Sequence, residues 1–206
     1  MYRRKLRHSR VKNLYKFASS KNNRVLTVES SLEFDACFHF EYSPDISCFE
    51  AQPQGFYYQF EGKELPYTPD FALMESSGAQ TLVEVKPRKA MDDIDFKARF
   101  EKKREAAKAA GVNLILVTER QIRVNPILDN LKLLHRYSGL SSLDSCHFAV
   151  LNIIKRSGAI KVSSVLEQVE AKEGEVLNSI FKLLQSGRVY ADLQAQKLDH
   201  QTTVWC

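Results

Sequence analysis

Apolar positions along this chain fall into short runs, and turn residues separate runs of helical period from runs that alternate or are continuous. Residues 30–42 (SSLEFDACFHFEY) read as a helix opened by serine and closed before Ser43-Pro44-Asp45. Residues 46–60 read as extended, with Gln52-Pro53-Gln54-Gly55 interrupting two aromatic-rich halves. Gly62 supports a turn and residues 68–75 a strand. Ser76-Ser77-Gly78 then connects tightly into a strand over 80–86, which Pro87 ends. Residues 92–110 are expected to form a long, charge-laced helix with Gly111 at its C-terminal cap. Residues 112–118 (VNLILVT) have the nearly continuous apolar pattern of a strand buried on both faces. Residues 126–137 read as an amphipathic helix with proline in its first turn. The character changes at Ser138-Gly139, which sets a boundary between residues 25–139 and 140–206. The second part predicts helices over 143–156, 162–169 and 173–185, then strands over 188–193 and 202–205. That is the order of a winged helix-turn-helix, with a generic helical appendage as the plainer alternative. The fold class expected is α/β: a mixed sheet flanked by helices, with a small C-terminal winged-helix domain.

Composition narrows the function classes. With 206 residues, 44% hydrophobic and 27% charged, the chain fits globular protein. No apolar run approaches the roughly 18–20 residues of a membrane span. The opening MYRRKLRHSR has charge but no apolar stretch behind it, unlike a secretory signal. Cys37, Cys48, Cys146 and Cys206 form no CxxC pair, so buried or free thiols in a reducing cytoplasm are expected, with no membrane partner. The net charge of +5 hides an asymmetry: residues 1–24 carry nine bases and no acid, which leaves the remainder at −4. Such an arm is the electrostatic footprint of a polyanion, and Arg3, Arg4, Lys5, Arg7 and Arg10 are its candidate DNA contacts. The bland alternative is a solvated, flexible start.

The candidate chemistry lies in Tyr67-Thr68-Pro69-Asp70-Phe71 and Val83-Glu84-Val85-Lys86-Pro87. On a strand Glu84 and Lys86 share one face and Val83 and Val85 the other. If Ser76-Ser77-Gly78 is a three-residue hairpin loop, residues 75 and 79 pair and Asp70 falls opposite Glu84, with Cβ atoms about 5 Å apart. Two carboxylates at that distance need a neutralising cation, and Mg²⁺ prefers a few carboxylates plus water, with Mn²⁺ as a substitute. The Val85 carbonyl is a further candidate ligand. Lys86 is placed to polarise a water or balance charge on a phosphorane-like transition state. The plainer alternative makes Asp70 a turn residue and Glu84–Lys86 an ion pair on a solvated strand. Glu33 is the third candidate acid. It also completes a capping box with Ser30, and the two readings stand side by side.

These residues resemble the PD-(D/E)xK signature of restriction-endonuclease-like nucleases. The ordered blocks Glu29-Ser30-Ser31-Leu32-Glu33-Phe34, Tyr42-Ser43-Pro44-Asp45-Ile46, Gln52-Pro53, Tyr67-Thr68-Pro69-Asp70-Phe71 and Glu84-Val85-Lys86-Pro87 more closely resemble TnsA, the endonuclease subunit of heteromeric bacterial transposases. The resemblance covers about residues 25–135. It implies a restriction-endonuclease-like sheet and Mg²⁺-dependent cutting of double-stranded DNA at the 5′ ends of a transposon. It also implies a DDE transposase partner (TnsB) that cuts and joins the 3′ ends. By the same resemblance Glu33, Asp70 and Glu84 match metal-binding acids, Lys86 the catalytic lysine, and Gln52 a recurrent glutamine in a supporting role. Some members carry glutamine where this chain has Glu84. A stand-alone restriction or repair nuclease and a catalytically inactive DNA-binding module are the alternatives.

Residues 141–206 carry seven bases and seven acids, and the presumed recognition helix begins Lys172-Glu173-Gly174-Glu175. Acids at that edge repel phosphates, so a protein partner is expected there, and the resemblance implies the AAA+ regulator TnsC. In the helix over 92–110, Lys97, Arg99, Lys102, Lys103, Arg104 and Lys108 either track a DNA backbone or form a solvated face paired with Glu101 and Glu105. The solvated face is the simpler expectation.

Overall fold

The computed structural model describes residues 13–139 and 143–206. The chain divides into two compact units, the first ending at Val124 and the second running Asn125–Cys206. The proposed contacts Arg3, Arg4, Lys5, Arg7 and Arg10 lie outside the described residues.

The first unit opens with a hairpin that the sequence reading did not assign. β1 (Tyr15–Ser19), within the stretch read only as a basic arm, pairs antiparallel with β2 (Arg24–Val28), which begins at that arm's last residue. Its signal was period two: Phe17, Ser19, Leu26 and Val28 are buried while Lys16, Ala18, Arg24 and Val25 are exposed. One of the arm's bases is committed to the fold. The Lys21 ammonium donates to the carbonyls of Phe40, Ser43 and Ile46 at 2.9, 2.7 and 2.6 Å. Phe40 and Ser43 lie at the end of α1 (Ser31–Tyr42), where a helix presents its unsatisfied carbonyls and negative pole, and Ile46 opens the strand that follows.

A four-stranded sheet follows, in the order β3 (Ile46–Ala51), β6 (Phe71–Glu75), β7 (Gln80–Val85), β8 (Asn113–Val117). The β3–β6 and β6–β7 pairs are antiparallel and β7–β8 is parallel, so the sheet is mixed. A separate hairpin joins β4 (Phe56–Phe60) to β5 (Lys63–Tyr67), and Glu61 and Gly62, with φ of 50° and 73°, make its turn. One face of the sheet meets an aromatic cluster in which Phe40 lies edge-on to Phe49 and Phe71, 5.6 and 5.1 Å between ring centres. The other face carries Ala72, Leu82 and Leu114, packed with Tyr58, Tyr67, Phe100 and Ala107. Phe100 and Ala107 come from α2 (Ile94–Ala109), which Asp93 caps by accepting from the N–H groups of Asp95 and Phe96. A 3₁₀ turn, Arg88–Asp92, stands where the helix was expected to begin.

One further expectation needs correction. β8 is not buried on both faces: among the described residues it is an edge strand paired with β7 alone, and the Ile115 side chain is exposed. Its apolar run marks a strand flanked by α2 on one side, not a central one. A short helix absent from the reading, α3 (Glu119–Ile122), is capped by Thr118 and Gln121 in a reciprocal box.

The second unit contains α4 (Ile127–Arg136), α5 (Ser145–Ser157), β9 (Ile160–Lys161), α6 (Val162–Gln168), α7 (Glu173–Gln185), β10 (Tyr190–Ala191) and β11 (Thr203–Trp205). Its sheet has the order β10-β11-β9, one strand more than expected. Val150, Ile154, Val165, Val176, Ile180, Leu183 and Val204 form its fully buried centre. The buried side chain of Asn130 on α4 pins the loop before β11. It donates to the carbonyls of Leu193 and Gln196 and accepts from the N–H of Leu198, all within 2.9 Å. All four cysteines are free, and no helix among the described residues is long and apolar enough to cross a membrane.

Candidate functional site

The hairpin between β6 and β7 brings two carboxylates together. Its ladder pairs Phe71 with Val83, Ala72 with Leu82, Leu73 with Thr81 and Met74 with Gln80. The loop is Ser76-Ser77-Gly78: the Glu75 N–H donates to the Ala79 carbonyl at 2.8 Å, and Gly78 has a φ of 87°. Continued by one pair, this register sets Asp70 across from Glu84, as expected from the loop length. Ala72 and Leu82 point to the α2 face of the sheet, so Asp70 and Glu84, two residues further along each strand, point there as well.

Both acids are buried, and one cation joins them. The Lys86 Nζ lies 3.0 Å from Glu84 Oε1, 3.3 Å from Asp70 Oδ2 and 3.2 Å from the Val85 carbonyl oxygen. Asp70 Oδ2 also accepts from the Val85 N–H at 2.8 Å. Burial, then the neighbouring Glu84 charge, push the Asp70 carboxyl up to about 7, against the pull of Lys86. Burial opposes the Lys86 ammonium, yet Asp70 and Glu84 outweigh it and its pKa is raised. The pair would repel without a cation between them, and Lys86 is that cation here.

Glu33 stands apart. It belongs to α1, on the aromatic face of the sheet, and both its oxygens serve the helix start. Oε1 accepts from the Ser30 hydroxyl at 2.8 Å and Oε2 from the Glu29 N–H at 3.0 Å. Its charge still reaches Asp70 and adds to the upward push there. Among the described residues no three His, Cys, Asp or Glu side chains gather closely enough to hold a metal ion. The donors at the strand end are two carboxylates and one carbonyl, all hard oxygens already shared by one cation. This set suits Mg²⁺ or Mn²⁺, which bind a few such oxygens and keep water on their remaining positions.

Gln52 borders the site. Its N–H donates to the Asp70 carbonyl at 2.9 Å and its φ is 49°, a left-handed conformation that non-glycine residues seldom take. Its amide is buried, and among the described residues neither the nitrogen nor the oxygen has a hydrogen-bond partner.

Residues 43–119 match the family model described as TnsA-like endonuclease N terminal. That segment is similar to the N-terminal domain of TnsA-like endonucleases. It contains Asp70, Glu84, Val85, Lys86 and Gln52, whereas Glu33 precedes it. No curated protein matches the chain.

Two residues in contact with this site went unassigned in the sequence. The Tyr67 hydroxyl donates to Glu84 Oε2 at 2.6 Å, and its pKa is raised by burial and by Glu84. The Lys103 ammonium lies 4.2 Å from the Tyr67 ring centre and 4.0 Å from Glu84 Oε1. Burial lowers the Lys103 pKa, and Glu84 opposes that shift. Tyr67 was legible as the first residue of the Tyr-Thr-Pro-Asp-Phe block. Lys103 was legible from the helical period, since Phe96, Phe100, Lys103 and Ala107 share one face.

Proposed function

We propose that the chain is the Mg²⁺-dependent endonuclease of a transposition system, hydrolysing the DNA phosphodiester at the 5′ ends of a mobile element. The observation that carries this reading is the Asp70–Lys86–Glu84 cluster inside a TnsA-like endonuclease domain.

In this reading Asp70, Glu84 and the Val85 carbonyl would hold the metal, and Glu33, held at the start of α1, acts on Asp70 through its charge alone. The bound ion supplies an activated water and Lewis-acid polarisation of the phosphoryl oxygen. Lys86 has only to move off the oxygens it shares to face the phosphate, where its ammonium balances charge that develops in the transition state. Tyr67 keeps Glu84 oriented through Oε2, so that Oε1 stays directed at the Lys86 side. Gln52 backs the Asp70 main chain and offers a buried amide to a water or a substrate atom.

The partners follow from the same reading. A DDE transposase (TnsB) acts on the 3′ ends. Within the second unit, α5, α6 and α7 followed by the antiparallel β10–β11 pair are read as a winged helix, and the equal numbers of acids and bases over residues 141–206 suit the AAA+ regulator TnsC better than DNA. Arg3, Arg4, Lys5, Arg7 and Arg10 add phosphate contacts near the transposon ends.

The test is a reconstituted transposition reaction with Asp70→Ala or Lys86→Ala. The expected result is loss of 5′ nicking with 3′-strand joining retained, so that cointegrates replace simple insertions. Full 5′ cutting by Asp70→Ala would refute the assignment. Robust DNA cutting by the purified chain alone would favour the stand-alone nuclease.

A further inference from the structure

α2 carries its charges in two settings. Arg99, Lys102 and Arg104 pair on the helix surface with Asp95, Glu105 and Glu101 at 2.7 to 2.8 Å. Such pairs are a solvated face and contribute little. Lys103 differs, because it sits in the inward stripe between Phe100 and Ala107 and its side chain is only 14% exposed. An ammonium placed there loses hydration and needs compensation. What it has is partial: the face of Tyr67 at 4.2 Å, that of Tyr58 at 5.9 Å, and Glu84 Oε1 at 4.0 Å. Among the described residues no acceptor lies within hydrogen-bond distance of its Nζ. The three N–H donors of a largely buried cation are therefore held beside the two acids and left open to a ligand.

Charge decides which ligand. Asp70 and Glu84 contribute two negative charges, and Lys86 and Lys103 two positive ones. A divalent cation added to this set leaves two positive charges in excess. A phosphodiester brings one negative charge and gains another as water adds to it, so an anionic phosphate is the complementary occupant. We propose that Lys103 is a phosphate-binding residue of this site, its ammonium steadied against the Tyr67 ring and donating to a non-bridging oxygen of the strand being cut. The proposal rests on the nuclease reading and extends it to a residue outside the Asp-Glu-x-Lys set.

The experiment compares the full chain with Lys103→Met, Lys103→Arg and, as a surface control, Lys102→Met. DNA binding to a labelled duplex is followed by anisotropy across a salt series with Ca²⁺ replacing Mg²⁺, and 5′-end cleavage is followed separately with Mg²⁺ in the reconstituted transposition reaction. Lys103→Met should lower the slope of log affinity against log salt by about one and slow cleavage on the order of 100-fold. Mg²⁺ half-saturation should be unchanged or tighter, since a positive charge has left the metal's surroundings. Lys103→Arg should restore much of the slope, and Lys102→Met should leave it alone. Methylphosphonates scanned across the cut site should reveal one position whose neutralisation harms the wild type as much as Lys103→Met does, with no added loss when the two are combined. That scan on the wild type keeps the idea open to refutation even if Lys103→Met folds poorly. A wild-type salt slope and rate in a folded Lys103→Met, or a scan with no such position, overturns the role of Lys103 alone. A wild type that neither binds DNA nor cuts it in the reconstituted reaction overturns the nuclease reading and this inference together.

Discussion

The Tyr67 hydroxyl donates to Glu84 Oε2 at 2.6 Å, while Lys86 meets the other carboxylate oxygen at 3.0 Å. The two bonds divide the labour on one side chain. Oε2 is fixed to the β4–β5 hairpin, and Oε1 faces the polar end of the site.

Removing that hydroxyl tests whether the orientation matters. Tyr67→Phe keeps the ring that packs against Phe56, Tyr58 and Lys103 but frees Oε2 inside a buried pocket. A charged hydrogen bond lost in this way costs about 1.5–3 kcal/mol of stability. Metal affinity should fall about 10-fold or more, because a ligand's supporting partner is gone. Calorimetric titration with Mn²⁺ alongside thermal unfolding separates the two effects. Unaltered Mn²⁺ binding would show that the hydroxyl serves only the fold.

Gln52 invites a second substitution. A buried amide without partners is destabilising by about 1–3 kcal/mol per unmet group, and Gln52 has both its nitrogen and its oxygen unmet. Gln52→Met fills nearly the same volume without those atoms. It should match or exceed wild-type stability in urea while slowing cleavage, the pattern expected where a buried polar group is kept for function. A variant that is less stable and fully active would mean the amide has structural partners and no part in the reaction.

Gly55 shows how closely the hairpin approaches the site. A Cβ there would stand 2.2 Å from the Tyr67 carbonyl oxygen and 2.8 Å from Thr68 Oγ1. Backbone cannot yield as a side-chain tip can, so Gly55→Ala should destabilise by about 1–3 kcal/mol or more. Because the strain falls on Tyr67 and Thr68, just before Asp70, Mn²⁺ binding should weaken along with the melting temperature. A variant as stable as wild type would show that residues 53–55 shift without involving β5.

Much of the site was legible because it depends on local rules. The three-residue loop at Ser76-Ser77-Gly78 fixes the register of β6 against β7, and period two does the rest, so the opposition of Asp70 and Glu84 followed from counting. The helix start at Ser30 was readable for the same reason. What escaped depended on long-range packing. β8 has the apolar run of a central strand, but whether a further strand joins it is decided by chain topology, which the run itself does not encode. Charge counting hid the β1–β2 hairpin, since Lys16, Lys21 and Arg24 drew attention from the alternation of Phe17, Leu26 and Val28. Lys103 was counted with its surface neighbours, although its place in the helical period already set it on the inner face.

The last prediction concerns pH and uses Asp70. Its carboxyl titrates near 3.8 in an unfolded chain and is pushed up to about 7 in the folded one by burial and by Glu84. The folded state thus holds this proton more tightly than the unfolded state. The resulting stabilisation is complete below about pH 4 and is lost as pH rises to about 7. Asp70→Asn removes the titration, so without metal it should overtake wild type in stability as pH climbs through this window, by on the order of 1–3 kcal/mol at pH 8. A divalent cation competes with that same proton. Mn²⁺ should therefore bind wild type more tightly as pH rises toward 7, releasing close to one proton per ion below it, and should raise the wild-type melting temperature at pH 8. Asp70→Asn should show neither response. Urea unfolding at pH 5 and pH 8, with and without Mn²⁺, reads both arms. Parallel stability curves for the two proteins across that range would mean Asp70 is not held protonated by its surroundings, and an equal Mn²⁺ shift in both would place the ion away from Asp70.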